Sequence, residues 1–446
     1  MSEYGKSLKE IARNLVAFGE KNGADEMEVA ASEGFEFTVE VRMGEIERLT
    51  EAGSKALSIK VIKDKKTAYA SSEDFSRDIL EKLVLSTIER AGLGNPDEFA
   101  GLPEETASDV NAAGLNLYDP EIKTLSADKK IKMALETEKV GLADKRITNS
   151  HGASCGTFEG RGILANSKGF AGEYEETSCY LGLGLQAGHT DAKVEDYWSC
   201  SKRHFKDLET PEEIARMCIK RTVRQLGARK IKTQNVPVVF EPGMTASLLG
   251  FLFACVAGTS IYKKSSFLVG KLGQRIGNEH VTILDDGLMS GKLGSRPFDG
   301  EGVPTRRTVV IDKGILTNYL CNTYASRKLK LKSTGNCRSG GVGPNNFYLE
   351  PGAHTEEEII ESVNEGMLLT RTIGHGLNPV TGDLSRGAYG LWIKNGKIAY
   401  PVMEITVYGN LGSMLNEIEM VGKDVDFRDS VAGPMIKVKE MTVGGF

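Results

Sequence analysis

Val236-Pro237-Val238-Val239-Phe240, then Pro242 and the apolar run Leu248-Leu249-Gly250-Phe251-Leu252-Phe253-Ala254-Cys255, is the stretch on which the fold turns. The first five residues read as a strand, and Pro242 suits the first turn of a helix expected over about Thr245 to Ala257. Beyond it, short apolar runs alternate with glycine-rich turns, broken by one more helix expected near Thr355 to Leu369. This pattern predicts an α+β protein: a mixed helix and sheet region at the N-terminus and a large, mostly antiparallel, β-rich C-terminal domain with a sheet or barrel-like core.

Upstream, Leu8, Ile11, Leu15 and Phe18 lie at helical spacing before Gly23, and Phe35, Phe37, Val39, Val41 and then Leu57, Ile59, Val61 alternate as strands do. A second helix is expected from about Asp74 to Arg90 behind a Ser72 cap, burying Phe75, Ile79, Leu83 and Ile88. Gly92-Leu93-Gly94-Asn95-Pro96 breaks the periodicity. A helix then opens near Ser126, strands follow from Ile147 to about Cys200, and Asn166-Ser167-Lys168-Gly169 marks a hairpin. Leu181-Gly182-Leu183-Gly184-Leu185 fits the two-residue pleat of a closely packed strand, since no phosphate-binding lysine motif follows. Thr210-Pro211-Glu212-Glu213 has the elements of a capping box and opens a helix ending near Gly227. Three parts are expected: 1–95, 96–235 and 236–446.

Composition narrows the class. Among 446 residues, 40% are hydrophobic and 26% charged, the proportions of a folded chain rather than a disordered one. The 51 glycines fit a strand-rich protein with many tight turns. A net charge of -5 makes no case for a nucleic-acid partner, which demands a concentrated basic surface. Arg327-Lys328-Leu329-Lys330-Leu331-Lys332 is the densest basic segment, and its alternation reads as a strand with one solvated face. Seven cysteines, odd in number and scattered, suggest a reducing compartment. The chain does not open on a secretory pattern, and its longest apolar stretch, Leu248 to Ala257, is too short to span a bilayer. A cytoplasmic location without membrane attachment is expected.

Downstream of the opening helix come Phe298-Asp299-Gly300-Glu301-Gly302, Gly314-Ile315-Leu316-Thr317, Lys332-Ser333-Thr334-Gly335, Thr381-Gly382-Asp383-Leu384-Ser385-Arg386-Gly387 and Tyr408-Gly409-Asn410-Leu411. In this order and spacing they resemble the PmbA/TldD family, also called modulators of DNA gyrase, and within it the PmbA/TldE branch. The resemblance is dense from Val236 to the C-terminus and looser before it. It implies a two-subunit peptidase in which a TldD-like chain carries the metal on a helical HExxxH motif, two histidines ligating and the glutamate serving as base. This chain has Gly250, Phe251 and Cys255 at those positions, and no cysteine after Cys337 to stand for the third ligand. A glycine cannot ligate and a phenylalanine cannot take a proton. No catalytic or metal-ligating residue is therefore assigned, and no cofactor is expected in this chain. The divalent metal is expected on a TldD-like partner in a heterodimer, with small or unfolded peptides as substrate; a homodimer is the other expected assembly.

Six residues stand out as candidates for binding peptide or shaping the site. Tyr262 and Lys263 fit the PmbA/TldE branch. Asp299 and Glu301, two apart, could act as an acid and base pair or hold a cation, although Gly300 and Gly302 favour a turn. Asp383 and Arg386 flank an expected turn and could pair with each other or with the ends of a peptide. Two alternatives stay open: a homodimeric peptide-binding or scaffolding protein without a peptidase role, and a serine hydrolase using the Ser260-x-x-Lys263 pair. The six histidines include no pair at a standard helical ligand spacing; His375, between two glycines, is the one best placed to reach a ligand.

Overall fold

A computed structural model describes residues 7–107, 112–189 and 192–445. Its first half runs α1 (Leu8–Lys21), β1 (Glu26–Arg42), β2 (Glu45–Lys63), β3 (Lys66–Ser72), α2 (Arg77–Leu93), α3 (Pro120–Thr124), α4 (Ala127–Leu142), β4 (Ile147–Asn166), β5 (Ala171–Ala187), β6 (Val194–Lys202) and α5 (Pro211–Val223). The six strands form one antiparallel sheet in the order β3-β2-β1-β4-β5-β6. Along β1, odd-numbered residues face the helices: Met27, Val29 and Ala31 pack with α1 and α2, and Phe37, Val39 and Val41 share a core with Ala134 of α4 and Ile214 of α5. Even-numbered positions at the start of β1, Glu28 and Ala30, therefore face away from the helices. The sheet crosses the expected division at 95/96, since β1 pairs with β4 from Glu28–Asn166 to Val41–Ala153.

The second half comprises β7 (Gln234–Phe240), α6 (Pro242–Val256), α7 (Gly258–Tyr262), β8 (Ile283–Asp286), β9 (Arg307–Asp312), β10 (Ile315–Leu316), α8 (Thr323–Leu329), β11 (Cys337–Arg338), β12 (Gly341–Val342), β13 (Phe347–Leu349), α9 (Glu356–Glu361), β14 (Glu365–Ile373), β15 (Leu377–Asn378), β16 (Asp383–Lys394), β17 (Lys397–Asn410), α10 (Leu411–Asn416), β18 (Ile418–Val421), β19 (Val431–Ala432) and β20 (Ile436–Gly444). Strands β14-β7-β20-β17-β16 form a ring, because β16 also pairs with β14. Closure removes the open edges that a sheet of this size would otherwise expose. Among the described pairings of that ring only β7–β14 is parallel; a second sheet runs β10-β9-β8-β13-β19. Helix α6 shares one core with both, through Leu249, Leu252 and Val256 with Val238, Trp392, Val407, Ile283 and Phe347. The expected α+β class with a barrel-like C-terminal core is what the chain forms.

Local signals were obeyed where capping chemistry is strong. Ser126 accepts from Lys129 N at the start of α4, and Thr210 and Glu213 form the reciprocal capping box of α5. The hairpin between β4 and β5 turns at Asn166 to Gly169, where Gly169 has φ +89°. Four expectations are corrected. The second helix starts at Arg77, not Asp74, because Ser72 and Asp74 spend their hydrogen bonds on each other in a local turn; the buried face is Leu80, Val84, Ile88 and Ala91, and Ile79 lies 43% exposed. Phe35, expected to alternate inward, is 45% exposed on the same strand that buries Phe37. The basic segment at Lys328 is the end of helix α8, stopped by Lys330 in the left-handed region (φ 56°), rather than a strand. The helix near Thr355 is only α9; from Glu365 the chain is β14, the barrel strand paired with β7 and β16. No described helix is long and apolar enough to cross a membrane.

Candidate functional site

Helix α6 begins after Glu241, whose carboxylate receives the guanidinium groups of Arg221 and Arg224, from α5 and its C-terminal end. The helix then goes directly into the core. Phe251 is 6% exposed and Cys255 fully buried. Burial pushes the Cys255 thiol up to about 12, so it stays protonated. Around Phe251, the side chains of Met244, Leu248, Leu377, Leu384 and Arg386 leave a gap of only about 20 Å³. Arg386 extends from β16 and donates to Ser247 Oγ on α6 at 3.4 Å.

A much larger cavity, about 880 Å³, lies where the polar face of the first sheet meets the turns after α6. Its floor is a cross-strand row: Glu28 of β1 opposite Lys60 of β2, and Lys60 opposite Tyr69 of β3. Asp97 and Phe99, from the connection after α2, form one wall. Tyr262 at the end of α7, Glu301, Tyr324 of α8 and Cys337 close it from above. Tyr324 donates its hydroxyl to Asp97 Oδ2 at 2.7 Å, and its ring meets Tyr262 edge-on at 5.8 Å. Glu301 Oε2 accepts from Thr323 N at 2.8 Å, holding the first turn of α8. Behind Glu301, Asp299 is saturated: Oδ1 accepts from Glu301 N and Val303 N, and Oδ2 from Cys337 N.

The electrostatics of this cavity are strained. Glu28 is 8% exposed, and its Oε2 has no hydrogen-bond partner among the described residues. Burial, reinforced by the charges of Glu301 and Asp299 and opposed by Lys60, raises its pKa from the ordinary 4.5 to about 7. Burial and the neighbouring Glu301 charge carry Asp299 up to about 7 as well. Lys60 is pulled down by burial, but Glu28 and Glu301 outweigh this and its pKa is raised.

A carboxyl raised by folding binds its proton more tightly in the folded chain, so its contribution favours stability below about pH 4.5 and is lost as pH rises through about 7. Glu28→Gln, which mimics the protonated acid, is thus expected to match the parent near pH 5. At pH 8 it should exceed the parent by about 3 kcal/mol, since each tenfold change in proton affinity on folding is worth about 1.4 kcal/mol. Urea unfolding of both proteins at the two pH values measures this; an equal gap at both would show that Glu28 does not carry the strain.

The six sequence candidates do not converge on one place. Tyr262 and Glu301 line the cavity, with Asp299 beneath Glu301 in the turn that Gly302 (φ +81°) completes. Lys263 lies outside with its Nζ 6.0 Å from the centre of the Tyr262 ring, and among the described residues no side-chain hydrogen bond joins it to Ser260, so the geometry offers no activated serine. Arg386 sits at the gap beside Phe251 and Asp383 against Asn410, and two readings of them are corrected. Both are in strand β16 rather than astride a turn, and they do not pair: Asp383 is held by Asn410 Nδ2 (2.9 Å) and Thr381 Oγ1 (2.6 Å), which keep its pKa low. His375 is exposed on its glycine loop.

Three family models match the chain in order: PmbA/TldA metallopeptidase domain 1 over 27–91, the central domain over 120–226 and the C-terminal domain over 233–445. The barrel with its buried helix and the sheet before it are thus those of a metallopeptidase family with a peptidase-like role. The chain belongs to the PmbA/TldD family. It is 35% identical over 431 residues to metalloprotease PmbA of Escherichia coli O157:H7, covering 96% of this chain and 94% of that one. The solved structure of a Bacteroides thetaiotaomicron protein named as a modulator of DNA gyrase superposes with a TM-score of 0.92 at 28% identity, over 99% of this chain and 100% of the other. That of TldE from Thermococcus kodakarensis shares the fold, with a TM-score of 0.86 at 24% identity over 97% and 99% of the two chains.

The family name implies a metal, and the residues on α6 do not fit one. Gly250 and Phe251 offer no donor, and Cys255 holds its proton inside the core. Among the described residues no group of three or more His, Cys, Asp or Glu side chains is placed to hold an ion. Sequence reasoning missed Glu28, Lys60, Asp97 and Tyr324. Glu28 and Lys60 read as the solvated face of alternating strands, and nothing local announces that residues near 300 cover them.

Proposed function

We propose that the chain is the PmbA/TldE-like, non-metal subunit of a TldD/TldE-type metalloprotease that cleaves small or unfolded peptides in the cytoplasm. Its partner is a TldD-like chain bearing HExxxH and the divalent metal, and the division 1–95, 96–235 and 236–446 serves that assembly. One observation carries the reading: the family's helix is retained as α6, but the three positions that would ligate and take a proton are Gly250, Phe251 and Cys255, with Phe251 and Cys255 packed into the core. The chain's part is to hold peptide. Strand β3 is the outer strand of the first sheet and borders the cavity through Thr67 and Tyr69, so an extended peptide can add along it through main-chain hydrogen bonds. Tyr262 and Glu301 face that peptide; Asp299 fixes the Glu301 turn.

The test is peptide cleavage by the purified chain alone and mixed with a TldD-like partner, with metal content recorded for each. Chelator-sensitive cleavage only in the mixture, with metal on the partner, is expected. Stoichiometric metal and activity in the isolated chain would sink the proposal. No effect on the partner's activity and no stable complex would favour a homodimeric peptide-binding or scaffolding role instead.

A further inference from the structure

We propose that the 880 Å³ cavity is an ammonium-recognition site, taking the primary amine of a short peptide on the carboxylates of Glu28 and Glu301. The inference rests on the reading that the chain handles peptides, and it names the group on the peptide that is recognised.

The charges lining the cavity do not balance. Among the described residues, Glu28, Asp97 and Glu301 oppose the single lining cation Lys60, with Asp299 a further carboxyl just behind and Lys328 a further cation against the Phe99 ring on the Asp97 side, away from Glu28. Two of these acids are occupied: Asp97 by the Tyr324 hydroxyl and Phe99 N, and Asp299 by three backbone N–H groups. Glu301 has one oxygen engaged, with Thr323 N. Glu28 is the exception. It is more than nine-tenths buried, lines the cavity, stands opposite Lys60 in register, and still has an oxygen without a donor among the described residues. A buried acceptor left in that state calls for a donor from outside the chain.

Three chemistries compete for that place. An anionic group is repelled by the excess of carboxylates. A divalent ion needs several free oxygen ligands, but both oxygens of Asp299 are taken, and no described acid cluster has the arrangement of a metal site. An ammonium group brings three donors and one positive charge, which suits the free oxygens of Glu28 and Glu301. The neighbouring edge of β3 allows the main chain of the same peptide to lie alongside, with its end in the cavity.

Isothermal titration calorimetry on the chain alone tests this, with trialanine, N-acetyl-trialanine and N-acetyl-Ala-Lys-Ala as probes. Trialanine is expected to bind at least tenfold more tightly than its acetylated form, and Glu28→Gln to lose at least tenfold for trialanine. Glu28→Gln keeps the shape of the side chain and removes a buried charge, so its folding is not at risk. Tighter binding of trialanine than of N-acetyl-Ala-Lys-Ala assigns the amine to the peptide N-terminus; the reverse order, lost in Glu28→Gln, assigns it to a lysine side chain. Equal binding of all three probes, an unaffected Glu28→Gln, or no binding of any probe would overturn the proposal. Because no partner is present, binding here with an inactive mixture above would sink only the subunit assignment, whereas an active mixture with amine-indifferent binding would sink only this one.

Discussion

Glu241→Ala is expected to lower the unfolding free energy by about 3–5 kcal/mol, the size typical of removing one partner from a buried ion pair. Glu241 follows the strand β7 and begins α6, its backbone carbonyl accepting from Met244 N and Thr245 N. Its carboxylate binds Arg224 through both oxygens, and Arg221 at 3.3 Å, while Arg221 also reaches Asp196 on β6. The three side chains of the Glu241 cluster are only 14–18% exposed, so screening by water is weak. Truncation at Ala leaves two guanidinium groups in a protein environment, with Asp196 able to answer only one of them. Because this cluster is where α5 meets the start of α6, the loss should also loosen the attachment of the first sheet's helices to the barrel. Glu241→Gln retains acceptor geometry and should lose less. Urea denaturation of the two variants measures both effects, and a loss below about 1 kcal/mol for Glu241→Ala would mean the pair behaves as a solvated surface bridge.

Phe347→Ala is expected to cost about 3–5 kcal/mol as well, for a different reason. Phe347 is fully buried on β13, where it pairs with Asp285 of β8 and Val431 of β19. Its ring meets Phe253 of α6 edge-on, with centroids 5.4 Å apart and planes at 82°. Removing it forfeits the burial of an aromatic side chain and the ring contact, and leaves a cavity that flanking strands cannot close, since both are held in register by main-chain hydrogen bonds. Phe347→Leu, which keeps most of the volume, should cost clearly less. Thermal and urea unfolding check the pair; equal small losses for Ala and Leu would show that the neighbours collapse into the space.

Much of the architecture was legible along the chain because its strongest signals are local. The capping residues of α4 and α5 and the turn at Gly169 act within four residues of their targets, and each formed as expected. Helix α6 was legible from its apolar run after Pro242, a run too long for a typical buried strand. The failures came where two periods fit the same short stretch. Leu329 and Leu331 alternate with lysines as a strand would, but the preceding Asn322 caps a helix by accepting from Ala325 N, and that decided α8. Glu365 to Leu369 carries residues with high helix propensity, and pairing with β7 and β16 overrode it.

The chain's own order of residues determined the α+β class, the helix α6 that follows Pro242, and the presence of Gly250, Phe251 and Cys255 along it. Those are statements about which side chains exist and what local backbone they favour. Only the tertiary structure decided that Glu28 and Lys60, on a strand face that reads as solvated, are roofed by Glu301 and Tyr262, and that Asp383 and Arg386 belong elsewhere. The physical reason is that burial and charge coupling are properties of surfaces brought together, not of neighbours in the chain. Glu28 becomes a strained acid only when the turn at Glu301, between β8 and β9, lies over the first sheet, and no periodicity within either segment encodes that distance.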